Sequence, residues 1–93
     1  MELKDTVQGM LSEDYRERFI AEYWQVKIHH EKLKEFIDKI DLALLLPDKY
    51  EMPEHNCPVN MLKKQLEHMM NYMCMLEARA VVEHIDLGPA EEA

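Results

Sequence analysis

Between residues 19 and 44 the chain repeats a spacing of four, three, four, three: Phe19, Tyr23, Val26, His30, Leu33, Ile37, Ile40 and Leu44. That alternation keeps one stripe on one side of an α-helix, with His30 its single polar member. Ser12 is the expected N-cap, and Glu13 and Asp14 follow in the first turn, where acids favour the helix dipole. Pro47 forbids continuation, so the pattern predicts one helix over 12–46. A second seam, Val59, Leu62, Leu66, Met69, Met73, Leu76 and Ala80, predicts another over 58–87, with Pro58 at its first position and Asn56 or Cys57 as N-cap. Its end is assigned to "DLGP", through Gly88 in a left-handed conformation and Pro89 beyond it.

Between the two helices "PDKYEMPEHNCP" carries three prolines and reads as an ordered connection with little helix, residues 47–57. Residues 1–11, with Leu3, Val7, Met10 and Leu11 at helical spacing, form an extension or a short extra helix, and 88–93 a frayed tail. At 1.5 Å per residue the two helices are each roughly 45 Å long. The fold class is therefore all-α, an antiparallel hairpin of two long helices.

Each helix carries more apolar surface than one seam uses. Ile20, Trp24 and Ile28 lie at steps of four on another side of the first. On the second, Met70, Cys74, Ala78, Val81 and Ile85 form a further stripe, and Tyr72, Met75 and Val82 begin a third. A lone hairpin cannot bury helices that are apolar on several sides, so homo-oligomerisation into a helical bundle is expected.

Composition narrows the functional classes. Ninety-three residues make a single domain, and only two are glycine, too few for the turns of an all-β fold. A net charge of -8 opposes binding to duplex nucleic acid but permits a small anion in a local basic pocket. No apolar run approaches the ~20 residues that span a bilayer, and "MELKDTVQGM" lacks the apolar core of a signal peptide. A cytosolic protein with free thiols at Cys57 and Cys74 is the expectation, with no membrane partner.

The candidate chemistry is concentrated in "FIAEYWQVKIHH". Tyr23 and Trp24 with Lys27 and His29, and Arg16 and Arg18 a turn or two earlier, have the character to stack a base and hold a phosphate. The competing reading makes Tyr23 a seam residue and Trp24 an interface anchor. His30 sits in the seam as a hydrogen-bonded core histidine. On the second helix the methionines read as core, whereas Gln65 and Arg79 need polar partners if covered, and Tyr72 shares a side with Met75 and Arg79.

Metal and catalytic motifs are absent. No histidine has Glu three residues before it, HExxH does not occur, and His55 and Cys57 lack a second ligand pair. Cys57 beside a helix start with His55 nearby is the one nucleophile arrangement, and it reads equally as a cap before Pro58. No Gly-rich phosphate loop occurs. A non-enzymatic protein with no cofactor is the expectation.

The segment "CPVNMLKKQLEHMMNYMCMLEARAVVEHIDL" resembles the C-terminal half of a family of small helical phage proteins, including ones from crAss-like phages. The likeness rests on Cys57, Pro58, Leu62, Gln65, Met69, Tyr72, Leu76, Glu77, Arg79, Ala80, Glu83, Ile85 and Leu87. Upstream it rests on Glu22, Tyr23, Lys32, Leu33, Phe36 and Ile37. The resemblance implies a phage protein made in the cytoplasm of a bacterial host. By analogy with small oligomeric phage sponges, it implies sequestration of a nucleotide immune signal such as a cyclic nucleotide or an ADP-ribose derivative. Nanomolar sequestration corresponds to about -12 kcal/mol, which one exposed helix surface does not supply. The expected site is thus an intersubunit pocket with Tyr23, Trp24, Lys27 and His29, joined by Tyr72 and Arg79. A helical interaction or structural phage protein without a small ligand is the alternative.

Overall fold

The computed structural model describes residues 1–88; the expected tail beyond Gly88 lies outside them. Among these residues every regular element is a helix. A 3-10 turn, Leu3–Thr6, leads into α1, Val7–Met10, followed by two long helices, α2, Tyr15–Leu45, and α3, Val59–Glu83. The molecule is elongated, 50 × 25 × 24 Å, as two long helices lying side by side must be.

Several boundaries differ from the sequence reading, each for a local reason. Asp14, not Ser12, caps α2: its carboxylate accepts from the Arg16 amide, while the Ser12 hydroxyl accepts from the Asp14 amide one step earlier. Pro58 is the N-cap of α3 with ψ 139, outside helical geometry, so the helix proper begins at Val59. The C-terminus comes early, at His84, which adopts φ 57. There the His84 amide donates to the Val81 carbonyl and the Ile85 amide to that of Ala80, a Schellman closure that turns Ile85 inward. Ile85 is buried as a result. With 31 residues in α2 and 25 in α3, the arms are about 46 and 37 Å long rather than equal.

Both seams meet as their spacing requires. Phe19, Tyr23, His30, Ile37 and Ile40 of α2 are buried, as are Met73, Leu76 and Ala80 of α3, with Ile40 and Leu76 almost fully enclosed. The main cluster gathers Phe19, Tyr23, Trp24, Met73, Leu76, Ala80 and Ile85, so the core sits where α2 begins and α3 ends. Leu44, the last seam position expected in α2, is 60% exposed, whereas the adjacent Ala43 is buried.

The second apolar side of α2 is covered from within the same chain. Residues 1–10 lie along it: an ideal Cβ at Gly9 would sit 2.8 Å from Ala21 Cβ, so only glycine permits this approach. The Gln25 amide donates to the Thr6 hydroxyl, which donates in turn to the Leu3 carbonyl. Trp24 and Ile28 are buried and Ile20 half-buried. The surplus apolar surface expected on α2 is therefore largely used up by the amino-terminal segment. On α3 it remains: Met70, Tyr72, Met75, Val81 and Val82 are 44 to 77% exposed.

Candidate functional site

The Tyr23 and Trp24 rings meet edge to face, 5.6 Å between centroids, and both are buried. Lys27 Nζ lies 6.0 Å from the Tyr23 ring and 5.8 Å from the Trp24 ring, so the nearest cation is the helix's own residue one turn on. The Tyr23 hydroxyl donates to Glu77 Oε2 at 2.6 Å and the Trp24 indole to the Leu87 carbonyl at 2.8 Å. Burial, and next the Glu77 carboxylate, push the Tyr23 hydroxyl far above its ordinary pKa of 10.0. Both aromatic residues thus lock α3 and the segment after it onto α2.

Arg79 is equally committed. Its Nε donates to Glu83, its Nη2 to the Tyr15 hydroxyl, and the guanidinium lies over the Phe19 ring at 5.0 Å. The Tyr15 hydroxyl donates to Glu83 Oε1, and Arg16 closes the same end by donating to the His84 carbonyl. Tyr15 and Arg79 hold the Glu83 carboxyl below the ordinary carboxylate range, the tyrosine having the larger effect. Tyr72 and His29 are exposed. The six residues expected to bind ligand do not converge: Tyr23, Trp24 and Lys27 form one cluster, Arg79 another, and His29 stands with different neighbours.

Those neighbours line a groove of about 380 Å³ between α2 and α3: His29, Lys32, Leu33 and Phe36 from α2, Gln65 and Met69 from α3, and Leu3 from the amino-terminal turn. Spacing explains the convergence, because residues 29, 32, 33 and 36 share one side of α2 and 65 and 69 one side of α3. Tyr72, three residues past Met69, is not among the lining residues. At one end the His55 ring meets Phe36 edge to face at 6.3 Å, and His55 is itself pinned by Nδ1 to the Pro53 carbonyl at 2.8 Å. The loop therefore braces the aromatic wall. An aromatic ring, a lysine, an exposed histidine and a primary amide around an apolar floor match the few polar groups and apolar lining of small-molecule sites. A second, smaller hollow of about 230 Å³ lies under the amino-terminal segment beside Trp24, with Asp5 and Glu17 as its charged members, the wrong sign for an anion.

Among the described residues no three His, Cys, Asp or Glu side chains come together as a metal site, and no helix is long and apolar enough to cross a membrane. The Sequestin family model matches residues 13–82. The chain belongs to the Sequestin family. The matched segment holds the whole of α2, all of α3 but Glu83, and every lining residue of the α2–α3 groove except Leu3. The family name suggests sequestration of a molecule. No curated protein and no solved structure matches the chain.

The sequence reading singled out His29 but did not join it to Lys32, Leu33, Phe36 and Met69, which line the groove with it. A signal was available. Lys32, Leu33, Phe36, Gln65 and Met69 all belong to the set that carries the resemblance to small phage proteins, yet seam spacing explains only Leu33 and Met69. Lys32, Phe36 and Gln65 have no packing reason in the heptad pattern.

Proposed function

We propose that this Sequestin-family protein binds and sequesters a small anionic nucleotide-type signal, a cyclic nucleotide or an ADP-ribose derivative, in the α2–α3 groove, without catalysing a reaction. The observation that carries the reading is the meeting of Phe36, Lys32, His29 and Gln65 in one apolar-floored groove. A base stacks on Phe36, its edge is read by the Gln65 amide, and phosphate oxygens accept from Lys32 and His29. Tight sequestration requires 70–90% of such a ligand to be covered. In this reading a second subunit closes the open side, so that the pocket expected between subunits is half prepared in each protomer. The likeness to phage proteins supports action in the cytoplasm of a bacterial host, where removing a nucleotide signal counters defence.

Titration calorimetry with a panel of cyclic nucleotides, ADP-ribose and cyclic ADP-ribose compounds tests the proposal. One class is expected to give saturable heat that Phe36→Ala abolishes. If no member gives heat while the helical fold is intact, the ligand reading fails and the alternative, a helical interaction protein, takes its place.

A further inference from the structure

Seven residues line the α2–α3 groove, and Leu3 is the one that lies outside both long helices. It also precedes residues 13–82, so the segment matched by the family supplies the groove with one wall missing. Local chemistry holds that wall in place. In the 3-10 turn the Glu2 amide donates to Asp5 Oδ2 and the Asp5 amide to the Glu2 carbonyl, a capping box that fixes the start of the turn. At its end the buried Thr6 hydroxyl donates to the Leu3 carbonyl at 2.7 Å and accepts from the Gln25 side-chain amide at 2.9 Å. Gln25 precedes His29 by four residues and so shares its side of α2. The relay from Gln25 through Thr6 thus sets Leu3 at the His29 end of the groove, while Phe36 and His55 close the other.

We propose that Leu3 contacts the nucleotide, and that docking of the amino-terminal segment and ligand binding reinforce each other. The proposal rests on the groove being the nucleotide site. His29 and Lys32 are exposed, and a phosphate held by such groups competes with water for every contact. An apolar side chain brought to that end excludes water and lowers the local dielectric, which strengthens the same charged hydrogen bonds. The half-buried Leu3 brings one there. The coupling follows from how the segment is held. Among the described residues a single hydrogen bond, from Gln25 to Thr6, ties residues 1–10 to α2, and the rest of the hold is packing such as the approach of Gly9 to Ala21. A terminal segment held in this way opens locally at low cost. A ligand that touches Leu3 binds the docked state better than the open one and shifts the population towards it. By linkage, the docked segment raises ligand affinity by the same factor.

Calorimetry with ADP-ribose, cyclic ADP-ribose and a cyclic dinucleotide, on the wild type, Leu3→Ala, Thr6→Val and Thr6→Ser, provides the test, paired with amide hydrogen exchange of the full chain. Leu3→Ala is expected to weaken binding of the nucleotide that gives heat by roughly five- to tenfold, through the apolar area lost over the ligand. Thr6→Val keeps the shape of the side chain but breaks the relay, and is expected to weaken binding as well. Thr6→Ser, which keeps the hydroxyl, is expected to restore it. In the wild type, saturation with that nucleotide is expected to slow amide exchange across residues 3–10, a response that a segment with a purely structural role does not give. Wild-type affinity in Leu3→Ala, or unchanged exchange in residues 3–10 at saturation, overturns the proposal and leaves the groove as the site. No heat from the wild type overturns the groove reading and this proposal with it.

Discussion

Trp24 donates its indole N–H to the carbonyl oxygen of Leu87 at 2.8 Å, tying the chain beyond α3 to the first third of α2. Only 3% of the residue is exposed, and Leu87 packs against the same cluster. An indole held in this way belongs to the core of the single chain.

Trp24→Ala is therefore expected to cost about 3–5 kcal/mol of folding stability, a large share of what a small domain has. Trp24→Phe, which keeps the ring but orphans the Leu87 carbonyl, costs about 1 kcal/mol. Thermal denaturation followed by circular dichroism measures both. A Trp24→Ala protein that melts like the wild type but has lost ligand heat would return the indole to the binding site.

Gly9 is the point at which the amino-terminal segment touches α2. A methyl group there meets Ala21 Cβ at 2.8 Å and the Glu17 carbonyl at 3.3 Å, so Gly9→Ala forces the segment outward at a cost of about 1–3 kcal/mol. Because the segment lies beside Trp24, its fluorescence is expected to shift to the red. An unshifted spectrum with unchanged stability would show that the segment is not held against the helix.

The Tyr15–Glu83–Arg79 cluster makes stability depend on acid pH. With the Glu83 carboxyl held below its ordinary value of 4.5, the ionised form is favoured in the folded chain. Its contribution is complete above that value and is lost as the pH falls through the lowered folded-state value. Glu83→Gln is accordingly expected to melt below the wild type at neutral pH, and the gap to close in acid. A gap that persists unchanged into strong acid would contradict the assignment.

In the groove, Lys32→Ala removes an exposed cation without disturbing packing. It is expected to weaken nucleotide binding roughly ten- to hundredfold, the equivalent of a charged hydrogen bond of about 1.5–3 kcal/mol. Arg79→Ala, which disrupts the Glu83 clamp, leaves affinity unchanged if the groove is the site. Calorimetry of the two variants side by side separates the groove from the residue set the sequence first suggested; loss of binding in Arg79→Ala alone would favour the latter.

The seams show how much of this was legible in the residues. Phe19, Ile37, Ile40, Met73, Leu76 and Ala80 lie buried where their spacing put them, because helical periodicity is a local property of the chain. Helix ends were read less well. Ser12, Pro58 and Gly88 each carry terminus chemistry, but Asp14 competes with Ser12 for the free amides, Pro58 keeps an extended ψ, and His84 takes the left-handed position before Gly88 is reached. Those outcomes turn on which of several adjacent candidates makes the better hydrogen bonds once the helices are packed.

What the sequence by itself determined is the all-helical character, the two seams that pair in a hairpin and the excess of apolar surface, since each follows from repeats within a few turns. Only tertiary structure decided where that excess goes. Residues 1–10 and Leu87 fold over Ile20, Trp24 and Ile28, converting a candidate ligand surface into core, while the outward side of α3 stays uncovered. The same packing brings Lys32 and Phe36 of α2 to Gln65 and Met69 of α3. No periodicity encodes such a meeting, because it depends on the rotation of one helix against another, and that angle is set by the whole interface rather than by any local run of residues.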